Sequence, residues 1–183
     1  MSPVINSANN QISTMGVANW AHDANGNVVS DGTFVYIWDA LNRLVQVEQN
    51  SSVIATYAYD SQNRRISKTV GENTTHYVYD LNNRLIAETL ADGTPLRDYF
   101  YLDNEPLAVR EYQNSPGLYY FINDHLGTPQ QLGTSTGTVV WLAAYLPYGE
   151  AQVQTNTIVN NLRYPGQYFD SETGLHYNWH RYY

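Results

Sequence analysis

Two histidines four residues apart, His176 and His180, could do chemistry, because an H-x-x-x-H pair on one helix face can hold a zinc ion. Their surroundings, Leu175-His-Tyr-Asn-Trp179, are aromatic and strand-like, and on a strand such a pair lies about 13 Å apart. Packed or surface histidines are therefore the preferred reading. Asp23-Ala-Asn25-Gly26-Asn27 resembles a calcium loop, but its glycine comes one place early and Phe34 stands where the closing glutamate belongs. It reads as a turn. Asp124-His125 with a serine elsewhere could serve a hydrolase. No G-x-S-x-G is present and Ser135 falls in a Thr/Ser/Gly turn, so a structural corner is preferred. No catalytic residue, metal or cofactor is expected.

The most regular spacing belongs to other residues. Tyr36-Ile-Trp38-Asp39-Ala-Leu-Asn42-Arg43, Tyr57-Ala-Tyr59-Asp60-Ser-Gln-Asn63-Arg64 and Tyr77-Val-Tyr79-Asp80-Leu-Asn-Asn83-Arg84 align without gaps as Y-x-[YW]-D-x-x-N-R. Trp20-Ala-His-Asp23 and Tyr99-Phe-Tyr101-Leu-Asp103 are weaker copies, and Asn9-Asn10-Gln11-Ile12 resembles the tail of another. Alternate strand residues share a face, so Tyr57 and Tyr59 point the same way. Asp60 can bond the amide two residues on, and Asn63 suits the left-handed conformation that closes a tight turn. Arg64 then opens the returning strand beside Asp60 and the tyrosine rings, where an ion pair or ring stacking is expected. Exposed rings and charges of this kind could also bind glycans, but their regular recurrence is better explained by unit stacking on unit.

Such a unit needs two antiparallel strands and two turns. Gly71-Glu-Asn-Thr74 and Ala91-Asp-Gly-Thr94 supply reversals at the other end of the unit. No 3.6-residue periodicity supports helices. The expected fold is all-β, a meander of antiparallel β-hairpins forming a curled open strip or partial shell. Composition agrees: 17 Tyr against 4 Phe and 2 Met suits thin sheets with partly wet faces. A net charge of −8, from 9 Lys+Arg against 17 Asp+Glu, argues against binding nucleic acid. No apolar run is long enough to span a membrane, residues 1–30 carry no signal-peptide pattern, and the absence of Cys removes thiol chemistry.

From Tyr119 the pattern changes. Asn123-Asp124-His125-Leu-Gly127-Thr-Pro129, Tyr145-Leu-Pro-Tyr148-Gly149-Glu150, Gly166-Gln167-Tyr168-Phe-Asp170-Ser-Glu-Thr-Gly174-Leu-His-Tyr-Asn178 and Arg181-Tyr-Tyr183 follow in order. These segments resemble the Rhs repeat-associated core, and with the preceding units the chain resembles the YD-repeat/Rhs family from about residue 10 onward. The division expected is 1–118 for the YD hairpins and 119–183 for the core segment, continuous with the same sheet. The resemblance implies a shell that encloses a C-terminal toxin, as in Tc toxins and Rhs effectors, or adhesion, as in teneurins. It also implies an aspartate-dependent self-cleavage element, DP-x-x-GR, beginning after Tyr183. The chain thus reads as a C-terminal shell segment without that element, with Arg181 matching a family arginine associated with cleavage. The expected role is structural and non-catalytic, in a bacterial protein that is exported or on the cell surface. The partners implied are toxin cargo or the remaining shell segments. A cell-surface adhesion or glycan-binding module, or a remnant that self-associates as a homo-oligomer through free sheet edges, are the alternatives.

Overall fold

A computed structural model describes residues 3–147 and 149–183, so Tyr148 of the Tyr145–Glu150 motif lies outside the described residues. The chain divides into two compact units, residues 1–73 and 74–183. Every regular element among the described residues is a strand.

The first unit contains β1 (Pro3–Asn6), β2 (Gln11–Met15), β3 (Ala18–Asn19), β4 (Ala21–His22), β5 (Val28–Ser30), β6 (Val35–Trp38), β7 (Leu44–Gln49), β8 (Ser52–Tyr59) and β9 (Arg65–Val70). Strands β1–β3 form a small antiparallel sheet, and β4 to β9 pair antiparallel in chain order. The first reversal closes on Asn10, in the left-handed region at φ 57°, with its amide 2.8 Å from the Asn6 carbonyl. Side chains alternate as a half-covered sheet requires. Tyr36, Val47, Ala55 and Tyr57 are buried, whereas Val35, Ile37 and Val53 are exposed on the other face.

The second unit continues the same grammar with β10 (Asn73–Tyr79), β11 (Leu85–Leu90), β12 (Pro95–Leu102), β13 (Glu105–Glu111), β14 (Gly117–Asn123), β15 (Pro129–Gly133), β16 (Val139–Tyr145) and β17 (Ala151–Asn156). Each pairs antiparallel with the next. Rows of facing residues build the core: Tyr99, Val109 and Tyr119 form one, Phe121, Leu132 and Trp141 the next. Phe100, Tyr120 and Ile122 lie open on the opposite face.

In each repeat hairpin the pairing slips at one place, just before the second aromatic. The slip falls between Ile37 and Trp38, Ala58 and Tyr59, Val78 and Tyr79, and Phe100 and Tyr101. Ala58 faces Ser67 and Tyr59 faces Arg65, so Ile66 is passed over. A bulge of this kind sharpens twist and re-aims side chains. It turns Leu44, Arg65 and Leu85, each directly after the repeat arginine, into the buried face.

One expectation is corrected. Residues 119–183 do not stay in one sheet: β18 (Tyr168–Asp170), β19 (Leu175–Asn178) and β20 (Arg181–Tyr182) form a separate three-stranded sheet. After β17 the amides of Thr157 and Ile158 turn back onto the Val140 carbonyl, and the chain leaves the meander. Tyr168 then packs edge-on against Tyr77, with ring centroids 5.3 Å apart. Burying the Tyr168 ring against the sheet replaces adding another strand to its edge.

Candidate functional site

The repeat residues meet at the turns. Asp60 Oδ1 accepts the amides of Gln62 at 2.8 Å and Arg64 at 2.9 Å, and Oδ2 accepts Arg64 Nε at 2.7 Å. Asp39 with Arg43, and Asp80 with Arg84, repeat this pattern. Asn42, Asn63 and Asn83 close the turns at φ 58°, 63° and 67°. A small polar side chain tolerates that left-handed conformation best after glycine. Partial burial pushes the carboxyls of Asp39, Asp60 and Asp80 up. The amide and guanidinium of the following arginine outweigh it and hold all three below the ordinary value.

Each turn is also tied to a neighbouring repeat. Arg43 Nη1 reaches Asn63 Oδ1 at 3.2 Å, while its Cζ lies 5.2 Å from the centre of the Tyr59 ring. Arg84 makes the equivalent reach to the Asp103 carbonyl and stacks at 5.4 Å on Tyr101. In return, the second aromatic of a repeat donates back to the carbonyl just past the preceding turn: Trp38 to Val28 at 2.8 Å, Tyr59 to Leu44 at 2.7 Å, Tyr101 to Leu85 at 3.0 Å. The first aromatics, Tyr36, Tyr57 and Tyr77, are buried. The tyrosines, aspartates, asparagines and arginines of the motif are thus brought together as fasteners.

The same turn recurs outside the three repeats. At Asp124 the amide bonds the Thr128 carbonyl, Gly127 bonds back to Asp124, and Oδ1 accepts the amides of Leu126 and Thr128 at 2.9 Å. Gly127, at φ 80°, stands where the repeats have Asn. Asp124 is therefore the same residue as Asp60 in geometry. Burial raises its carboxyl and the Thr128 and Leu126 amides more than offset it, leaving it lowered. Tyr145 Oη donates to the Pro129 carbonyl at 2.9 Å, as Tyr59 does to Leu44. Asp23–Asn27, Leu90–Thr94, Thr134–Thr138 and Leu146–Glu150 close with the same pair of backbone bonds. The readable signal was a glycine four residues into each, at positive φ. Asp23 is a turn residue: Oδ1 takes the Asn25 and Asn27 amides at 2.9 Å.

A polar cluster lies on the covered face of the second unit. Glu88 and Glu111 are 1% and 3% exposed and both pair with Arg97, Glu88 at 3.1 Å. Tyr99 Oη donates to Glu88 at 2.6 Å, and Asn161 Nδ2 bonds Tyr168 Oη at 2.8 Å. Burial raises Tyr99, Tyr168 and Glu111, the last against the pull of Arg97.

The remaining core residues are placed separately. His125 is exposed and Pro129 fully buried. Gly166, at φ 84°, closes the turn in which Gln167 N bonds Tyr164 O at 2.8 Å. Gln167 Oε1 meets His176 Nδ1 at 3.2 Å, and His176 packs edge-on to Phe169. Asp170 is buried, and its carbonyl accepts the Gly174 amide at 2.8 Å, with Gly174 at φ 75°. Arg181 is exposed on β20, and His180 lies in the β19–β20 turn beside Trp179.

Comparison with known proteins matches this arrangement. The tRNA nuclease WapA of Bacillus subtilis (strain 168) is 34% identical over 180 residues, covering 95% of this chain and 8% of that protein. The toxin protein Tse5 of Pseudomonas aeruginosa is 26% identical, covering 96% of this chain and 17% of its own length. The chain therefore spans a small part of these relatives. Among solved structures, the Tc holotoxin pore of Photorhabdus luminescens has a similar fold, with TM-score 0.64 and 20% identity over 88% of this chain and 9% of that one. Residues 5–183 match the family described as the teneurin YD-shell. With its Y-x-[YW]-D-x-x-N-R turns laid strand beside strand, this chain belongs to the teneurin YD-shell family, the YD-repeat Rhs shells.

Proposed function

We propose that this chain is a structural, non-catalytic wall segment of an Rhs-type β-shell that encloses a toxin polypeptide. The observation that carries the reading is the use of the motif's polar groups. Asp39, Asp60 and Asp80 each bind two amides and an arginine of their own turn, and Arg43 and Arg84 reach on to the next repeat. Groups committed in this way make a wall and leave little for acid–base chemistry. The names of the relatives, toxins and tRNA nucleases of which this chain matches only a small part, support a carrier role for the shared part.

In this reading residues 1–118 are wall hairpins and residues 119–183 the core segment. Partners are the enclosed polypeptide and further shell strands. Strand β17 ends the strand order in its unit and offers an edge for them or for a second copy. The acidic balance disfavours nucleic acid as a partner. No helix of the described residues is long and apolar enough to cross a membrane, and an exported or cell-surface setting follows from the carrier role. The test is binding of a permanently unfolded chain, reduced and carboxymethylated α-lactalbumin, followed by fluorescence anisotropy. Saturable binding of the unfolded probe, with none of its native form and no cleavage of tRNA, is expected. Absence of binding, or tRNA cleavage that survives repurification, would overturn the proposal.

A further inference from the structure

Only one asparagine in the chain precedes a glycine, Asn25 before Gly26. The pair sits in the turn that closes on Asp23, and both residues are exposed. An asparagine side chain has a nucleophile in its own backbone, the next amide nitrogen, whose attack closes a five-membered ring. Glycine leaves that approach open, because it has no Cβ beside the nitrogen. The repeat turns are built differently. Asn42, Asn63 and Asn83 precede arginines, whose amides are held by the turn aspartate at 3.0, 2.9 and 2.9 Å. The Gly26 amide is instead bonded to the Asp23 carbonyl at 3.1 Å, in an exposed stretch where water competes for both groups. The Asn25 side chain also has a task. Its Nδ2 donates to Asn42 Oδ1 at 2.9 Å, beside Asn27 Nδ2 at 2.8 Å on the same oxygen, and the two bonds tie turn 23–27 to turn 39–43.

We propose that Asn25 is a site of spontaneous deamidation, and that the conversion unfastens turn 23–27 from turn 39–43. The Gly26 nitrogen gives up its proton to water and bonds to the side-chain carbonyl carbon of Asn25. The bond from that carbon to Nδ2 then breaks, and ammonia leaves carrying a proton. Water opens the ring at either carbonyl, so one water enters and one ammonia departs, with no oxidation and no cofactor. Opening at one carbonyl leaves aspartate, whose ionised carboxylate only accepts and meets Asn42 Oδ1, another acceptor. Opening at the other leaves isoaspartate. This lengthens the main chain by one atom inside a turn closed by Asp23 N to Asn27 O at 3.0 Å and Gly26 N to Asp23 O at 3.1 Å. Either product removes a donor from Asn42 and sets a new negative charge near Asp23. The inference needs only this chain and water, so it stands apart from the shell reading.

The full chain is incubated in oxygen-18 water at mildly alkaline pH, digested, and read by tandem mass spectrometry, with isoaspartate measured by enzymatic methylation of its α-carboxylate. Conversion at Asn25 is expected to be at least about tenfold faster than at Asn50 or Asn114, exposed asparagines that precede serine. Conversion no faster than at those two overturns the site. The unfastening is read separately in Asn25→Asp, by urea denaturation and by the side-chain amide resonances of Asn42. A lowered urea midpoint and shifted Asn42 resonances are expected. A midpoint equal to that of the native chain, or unmoved Asn42 resonances, overturns the unfastening.

Discussion

At the scale of one residue, the fold turns on an aspartate and on the residue three places after it. Asp60 satisfies two amides that the turn would otherwise leave without a protein partner, and it anchors Arg64. Its side chain is 20% exposed, so water screens the ion pair and the amide bonds carry most of the effect. Asp60→Ala is expected to cost about 1–2 kcal/mol in urea denaturation, the size of losing a helix cap. Asn63 separates two contributions. It holds a left-handed backbone and accepts from Arg43. Asn63→Ala should cost about 1–2 kcal/mol, because a Cβ without a local hydrogen bond resists that conformation. Asn63→Gly relieves the backbone and loses only the Arg43 contact, so its cost should be well under half as large. Equal losses in the two variants would show that the backbone contribution is absent.

At the scale of strands, pairing is reinforced by bonds that skip a connection. Tyr59→Phe removes the hydroxyl that reaches the carbonyl of fully buried Leu44, and should cost about 1 kcal/mol in chemical denaturation. Strands β11, β12 and β13 are joined by Glu88, Arg97 and Glu111, with two carboxylates on one guanidinium. Arg97→Met leaves both carboxylates buried and should cost about 3–5 kcal/mol; adding Glu88→Gln and Glu111→Gln should restore most of it. How far these elements could be read ahead depended on where their partners lie. The hairpins of the three repeats were legible because Asn and Arg follow Asp by three and four residues and the groups bond within that span. The Leu90–Thr94 reversal was legible from its Asp-Gly pair, whereas the Leu146–Glu150 turn was not, since Leu replaces Asp and only the glycine remains to mark the same geometry. The Asp124 turn was seen as a separate motif because Gly and Thr replace Asn and Arg. The return of Tyr168 to Tyr77 was invisible, because no local spacing encodes a contact between residues so far apart in sequence.

At the scale of the whole chain, protonation pulls stability in opposite directions. The aspartates at 39, 60, 80 and 124 sit below their ordinary value, so their contribution is complete above about pH 4 and is lost as pH falls through the depressed values. An acid limb of unfolding below pH 4 is expected, shallower in Asp60→Asn. Nearer neutrality two single groups oppose each other. Glu111 is raised, first by burial, so its contribution is present below the ordinary glutamate value and fades as pH rises through the raised one. His176 is lowered by burial and then by Arg163, so the fold holds it neutral and loses stability as pH falls below about 6.5. Near-cancellation would leave the native profile flat and uninformative, and single variants separate the two. Relative to the native chain, Glu111→Gln should gain urea stability from pH 5 to pH 8, because it removes a charge whose burial matters only when ionised. His176→Gln should gain in the opposite direction, from pH 8 to pH 5. Parallel profiles for all three proteins would mean that neither group is held by burial, and that the covered face of the second unit is open to water.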